Sequence, residues 1–213
     1  VGDAISTVIA GRYVRTQPAL LGCFLVDTNA MIFGMSTSVF PAFGDLFGGG
    51  ARTVGLLFAA PSFGALVASL TSGWMRRIRR QGRAINVSVA LWGVAIGLFG
   101  LAPNLGLGVL FLALAGGADA ISAIFRSTIL MQAAPDAMRG RMSGVQYAQV
   151  AGMPLLGDFE AGLVATLTNV RVAVVTGGVA CLAGVFVLSW LVPALDKYLS
   201  PLPFVPSPAA GEG

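Results

Sequence analysis

Six apolar runs, each about twenty residues long, alternate with short polar breaks along this chain. They lie at about 18–40, 53–74, 84–102, 105–131, 142–168 and 172–192. A helix needs ~20 residues to cross ~30 Å of hydrocarbon, and an unsolvated backbone must satisfy itself internally. The pattern therefore predicts six transmembrane helices. Pro41 closes the first run, and a loop with Asp45, the run Gly48-Gly49-Gly50 and Arg52 leads to the second. Pro103-Asn104, the polar loop from Gln132 to Arg141 and Pro193 mark later breaks, while Pro61 and Pro154 fall inside runs. Residues 1–17 mix apolar positions with Asp3, Arg12 and Arg15, which predicts an amphipathic segment on the membrane surface ended by Pro18. Residues 193–213, with Lys197 and prolines from Pro201 onward, predict a disordered tail.

Between the second and third runs stands Trp74-Met-Arg-Arg-Ile-Arg-Arg-Gln-Gly-Arg83, with Arg76, Arg77, Arg79, Arg80 and Arg83. On a soluble domain such a cluster would suggest a nucleic-acid patch, but its flanks are long Leu, Val, Ala, Phe and Gly stretches. In a membrane protein it is a cytoplasmic loop, because short loops rich in Lys and Arg stay inside. With an even number of spans both termini then also lie inside. That side carries Arg12, Arg15, the loop arginines, Arg139, Arg141 and Lys197, against Arg52 and Arg171 outside. The bias predicts a multi-pass membrane protein with the lipid bilayer as its solvent and the arginine-rich loop on the cytoplasmic side.

Composition agrees. Of 213 residues 56 % are hydrophobic and only 10 % charged, too few to coat a water-facing surface that needs about 25 %. The net charge of +4 sits in loops facing anionic lipid, so no nucleic-acid partner follows. Cys23 and Cys181 lie inside apolar runs and read as small buried hydrophobes. There is no His, no Cys cluster for a metal, no Walker A loop and no nucleophile elbow. The expectation is a protein that is not an enzyme, uses no cofactor or metal, and draws any energy from an ion gradient.

The candidate chemistry lies in charges that interrupt the apolar runs: Asp27, Asp119, Arg126, Asp158 and Glu160. A charge at the bilayer centre costs ~2.5–3.5 kcal/mol even on the lenient insertion scale, so these should face the bundle interior, one another or water. Asp27, beside Thr28 and Asn29, would bind a proton or substrate, or else hold a neighbouring helix by a hydrogen bond. Asp119 and Arg126 are two turns apart on one helix face, separated by ~10.5 Å of rise, a span that Arg covers only in part. They would neutralise charge between spans, or Arg126 would attract an anionic substrate. In the fifth span Glu160 falls within ~20° of Gln149 and Asp158 within ~20° of Tyr147, giving two polar stripes around Pro154. Asp158 is the better functional candidate, since Glu160 approaches the outer interface. Gly93-x-x-x-Gly97, Gly177-Gly178 and Gly184 suggest close helix contacts, a weak signal among 29 glycines.

Three stretches carry a family resemblance: Gly11-Arg-Tyr-Val-Arg15 with Pro18, Phe125-Arg126-Ser-Thr128 followed by Pro135-Asp136-x-x-Arg139-Gly140-Arg141, and Gly73 to Arg83. Together with the order of spans they resemble the C-terminal six-helix half of a major facilitator superfamily transporter. The likeness leans to the bacterial branch of enterobactin (siderophore) exporters and drug-efflux proteins. Gly73 to Arg83 is similar to the second copy of that family's Gly-x-x-x-Asp-Arg-x-Gly-Arg-Arg loop. The Asp is absent, Arg77 standing four residues after Gly73, so a charge-relay role is not carried over.

The resemblance implies an all-α twelve-helix bundle in two pseudo-symmetric halves, with the substrate site between them near the midplane. This chain would be one half, a fragment or half-transporter needing an N-terminal six-helix partner half. The implied activity is proton-coupled export of a siderophore or similar small amphipathic molecule, with multidrug efflux or an inactive scaffold as rivals. Asp27, Asp119, Arg126, Asp158 and Glu160 would serve substrate and protons. Gly73, Arg76, Arg77, Arg80, Arg83, Asp136, Arg139 and Arg141 would form cytoplasmic gating loops.

Overall fold

A computed structural model describes residues 14, 16–34, 37–133 and 139–199. The amphipathic segment expected over 1–17, all but residues 14, 16 and 17, lies outside the described residues. So do Asp136 and the chain from residue 200 onward. Six membrane-length helical segments follow one another: Pro18–Leu46, Ala51–Leu70, Gln81–Leu101, Leu105–Ala133, Arg139–Leu167 and Val170–Leu191. Among the described residues no strand forms. The chain folds as a bundle of six helices long and apolar enough to cross a membrane.

The first span is broken. Helix α1 (Pro18–Phe33) ends at Gly34, a 3-10 turn covers Thr37–Val39, and α2 (Phe40–Leu46) completes the crossing. The expected stop at Pro41 is therefore corrected: Pro41 sits in the first turn of α2, where a missing N–H leaves no bond unmade. Gly48, Gly49 and Gly50 then adopt φ of 110°, 74° and 89°, left-handed values open mainly to glycine, and turn the chain into α3 (Ala51–Leu70). The remaining helices are α4 (Gln81–Leu101), α5 (Leu105–Ala133), α6 (Arg139–Leu167) and α7 (Val170–Leu191).

Local chemistry sets several ends. Asn104 Oδ1 accepts from Leu107 N at 3.0 Å and Asn169 Oδ1 from Val172 N at 2.9 Å, capping α5 and α7. Arg171 Nη1 donates to Ala102 O at 2.8 Å, satisfying a carbonyl at the end of α4. The second span stops at Leu70, short of the expected 74, and Ser72–Arg77 form a 3-10 turn that carries part of the basic loop. The tail also departs from expectation. Pro193–Asp196 form a short helix, α8, with Leu195 buried and Asp196 Oδ1 accepting from Asn86 Nδ2 at 2.9 Å.

In packing, α3 lies along α5, α5 along α4, and α4 along α7, while α1 touches α6 and α7. Two seams let backbones meet. Gly64 on α3 abuts the Ala113 carbonyl, and Gly116 on α5 abuts Pro61, so any side chain there would overlap backbone. A Cβ on Gly178 of α7 would fall 2.7 Å from Gly97 N and 2.8 Å from Gly93 O. Without a hydrophobic force between helices in lipid, this close contact is what holds them. At the end away from the arginine turn, Phe43 and Phe99 rings approach to 4.5 Å between centroids and Phe40 and Phe99 to 5.8 Å, closing that end of the core.

Candidate functional site

Among the described residues, the interior of the bundle contains one ionic cluster. Asp27 on α1 and Arg126 on α5 are both buried, and Asp27 Oδ1 lies 2.6 Å from Arg126 Nη1. Ser122, one turn before Arg126, accepts from the same Nη1 at 3.1 Å. Asp119 Oδ1 stands 3.6 Å from Arg126 Nη2, and its side chain is 51 % exposed. The two-turn separation along α5 is thus bridged by the extended guanidinium. Arg126 Nε, although buried, has no hydrogen-bond partner among the described residues. One arginine therefore faces two carboxylates, and the trio carries a net negative charge when all are ionised.

The cluster divides two cavities. On the side toward the arginine turn, Asp27 and Arg126 line a narrow space with Cys23, Phe24, Leu130 and Gln146. On the other side Asp119 borders a pocket of about 80 Å³ with Thr37, Phe40, Trp92 and Phe99. Asp119 is open to its pocket and can exchange a proton or meet a ligand there, whereas Asp27 and Arg126 are buried beside a space of about 10 Å³.

Asp158 is elsewhere and differently employed. Its Oδ1 accepts from Ser38 N at 2.8 Å, both carboxylate oxygens lie 3.1 Å from Thr37 Oγ1, and Ser38 Oγ donates to Asp158 O at 3.2 Å. It ties α6 to the break in the first span. Glu160 is half-buried on α6 and makes no hydrogen bond or ion pair among the described residues. The two stripes expected on α6 are not kept apart: Asp158 and Gln149, one from each, both bond the first span. Gln149 is buried and donates to Phe24 O and Thr28 Oγ1, each at 2.9 Å, whereas Tyr147 is exposed.

The loop candidates lie at the opposite ends of the helices from Gly48–Gly50. Gly73, Arg76 and Arg77 fall in the 3-10 turn, Arg80 precedes α4, and Arg83 is in its first turn. Arg77, Arg80 and Arg83 are exposed, as are Arg139 and Arg141 at the start of α6. Sequence reasoning missed Ser122, Thr37 and Ser38, whose hydroxyls gave no signal among many helical serines and threonines. It also missed Asn29, which donates to Cys181 O at 3.0 Å and links α1 to α7.

The Major Facilitator Superfamily model matches residues 19–211. The enterobactin exporter EntS of Shigella flexneri is 35 % identical over 190 residues, 88 % of this chain and 45 % of that protein. EntS of Citrobacter koseri is 35 % identical over 199 residues, 93 % and 48 % of the two chains. EntS of Escherichia coli O81 is 34 % identical over 190 residues, 88 % and 46 %. The chain spans about half the length of the curated relatives it matches. No solved structure gives a significant match.

Proposed function

The chain belongs to the major facilitator superfamily of transporters, and from that premise we propose that it forms the C-terminal half of a proton-coupled exporter in the bacterial inner membrane, both ends of this segment cytoplasmic. The observation that carries the reading is the Asp27–Arg126–Asp119 cluster between two cavities. Arg126 contacts both carboxylates, Asp27 at 2.6 Å and Asp119 at 3.6 Å. Ionised Asp119 accepts hydrogen-bond donors of a substrate entering its pocket, and protonated Asp119 releases them. Proton and substrate thus compete for one carboxylate, which is the requirement for exchange. Asp27 holds Arg126 in place throughout.

The substrate proposed is a siderophore, because the relatives named above are enterobactin exporters. Multidrug efflux is the second reading, favoured by the largely aromatic wall of Phe40, Trp92 and Phe99 beside Asp119. The basic turn and the Arg139–Arg141 segment act as cytoplasmic gates. Export from a strain lacking its own exporter tests the whole. Asp119→Asn is expected to abolish proton-driven export at unchanged protein level, and full export by that variant would sink the coupling role. Accumulation of one iron chelator inside the cells favours the siderophore, and sensitivity to many unrelated compounds favours drugs.

A further inference from the structure

The outer face of α4 continues from charge into apolar surface without a break. Arg83, Val87, Leu91, Val94 and Leu98 recur at spacings of three and four, so they share one face, and the apolar ones are all exposed. Against this face two cavities open. One, of about 360 Å³, is bordered by Trp74, Arg80, Arg83, Val87, Leu91 and Ile121. The other, of about 490 Å³, is bordered by Phe63, Val67, Leu91, Val94, Leu98 and Leu114. They share Ser88, Leu91 and Ile121, and so form one groove between α3, α4 and α5.

The groove has a charged mouth. Neither the Arg80 nor the Arg83 guanidinium has a hydrogen bond or ion pair among the described residues. No Asp or Glu occurs in the chain between Asp45 and Asp119, so nothing nearby in sequence neutralises them. Trp74 stands beside them, an amphipathic ring suited to the headgroup level. From Arg83 to Val94 the helix rises ~16 Å, about half the hydrocarbon thickness and so one leaflet.

We propose that this groove is a binding site for an anionic phospholipid of the leaflet at the arginine end. Arg80 and Arg83 hold the phosphate and its anionic headgroup, and one acyl chain lies along Val87, Leu91 and Val94. The complementarity is of charge at the mouth and of hydrocarbon along the wall, in the proper order and at the proper depth. Basic pockets between transmembrane helices recognise acidic lipids in this way. The site needs only the membrane placement of the helices and is independent of the transport reading.

Native mass spectrometry of the purified protein, offered dioleoyl-phosphatidylglycerol and dioleoyl-phosphatidylcholine in equal amounts, tests it. Phosphatidylglycerol is expected to be retained in preference. The Arg80→Gln, Arg83→Gln double variant should lower that retention about 30-fold, about fivefold for each arginine as ~1 kcal/mol apiece implies. Arg77→Gln with Arg79→Gln removes equal charge close by and should lower it far less, because neither of these arginines borders the groove. Leu91→Trp, which fills the apolar channel and leaves every arginine, should also lower it. Equal losses from the two arginine pairs would mean diffuse attraction and overturn the site. Unchanged phosphatidylglycerol retention in Arg80→Gln, Arg83→Gln or in Leu91→Trp would overturn it too. So would protection of a Leu91→Cys thiol from a lipid-soluble maleimide in delipidated protein, since protein rather than lipid would then cover the groove.

Discussion

At the scale of single residues, Asp27 and Arg126 are a buried pair whose members stabilise only together. Asp27→Ala leaves the guanidinium, 7 % exposed, with only the longer 3.6 Å contact to half-exposed Asp119. Loss of one partner of a buried pair costs ~3–5 kcal/mol. The double change Asp27→Leu with Arg126→Met removes both charges, and is expected to recover most of that stability while export stays absent. Thermal unfolding of the two variants in detergent checks this, and a double variant no better than Asp27→Ala would refute it. Asp119 is half exposed, so Asp119→Asn should cost less than ~1 kcal/mol. All three residues were legible as charges in apolar runs, because hydrocarbon tolerates so few. Their grouping was not. Asp27 comes from α1 and the others from α5, and which helices touch is decided by packing that no local spacing encodes.

At the scale of elements, the break in the first span is held by α6. Hydropathy runs through residues 18–46 almost without interruption, so the sequence reads as one helix stopped at Pro41. The interruption at 34–39 shows only once Asp158, 120 positions away from Ser38, meets the free backbone N–H there. The same distance explains why Asp158 looked like a protonation site: a carboxylate in an apolar run is ambiguous until its donors are known. Asp158→Ala leaves Ser38 N and Thr37 Oγ1 without an acceptor, which costs ~1–3 kcal/mol where water is scarce. A double-mutant cycle with Thr37→Val should give a coupling of ~0.5–3 kcal/mol, and a coupling near zero would deny the tie. Asp158→Asn keeps an acceptor for Ser38 N and should be milder than Asp158→Ala. The glycine seams were half legible. Gly93, Gly97 and Gly178 stood out in sequence and do meet, and Gly177 abuts Phe33 instead, whereas the Gly64–Ala113 and Gly116–Pro61 contacts had no spacing to announce them.

At the scale of the whole molecule, this half leaves open what a transporter must close. The pocket beside Asp119, about 80 Å³, is well below the ~300 Å³ at which ligand sites begin, so a siderophore needs a second wall. On α6, Gly140, Gly144, Ala148, Ala151 and Leu155 are exposed along one face at spacings of three and four, and no atom lies near a Cβ built on Gly140 or Gly144. A lipid-facing surface has no use for small residues, whereas helix pairs in membranes depend on them. Under the proposed function, this face would meet the N-terminal six-helix partner half. Gly144→Leu with Ala148→Leu adds apolar bulk on an open face and improves helix propensity at Gly144 by about 0.5–1 kcal/mol, so this chain should stay folded. Recovery of a tagged partner half with the variant should fall steeply, and export with it. Lipid would accept the added leucines without penalty, so unchanged partner recovery and unchanged export would give this face to the bilayer and move the joint between halves elsewhere.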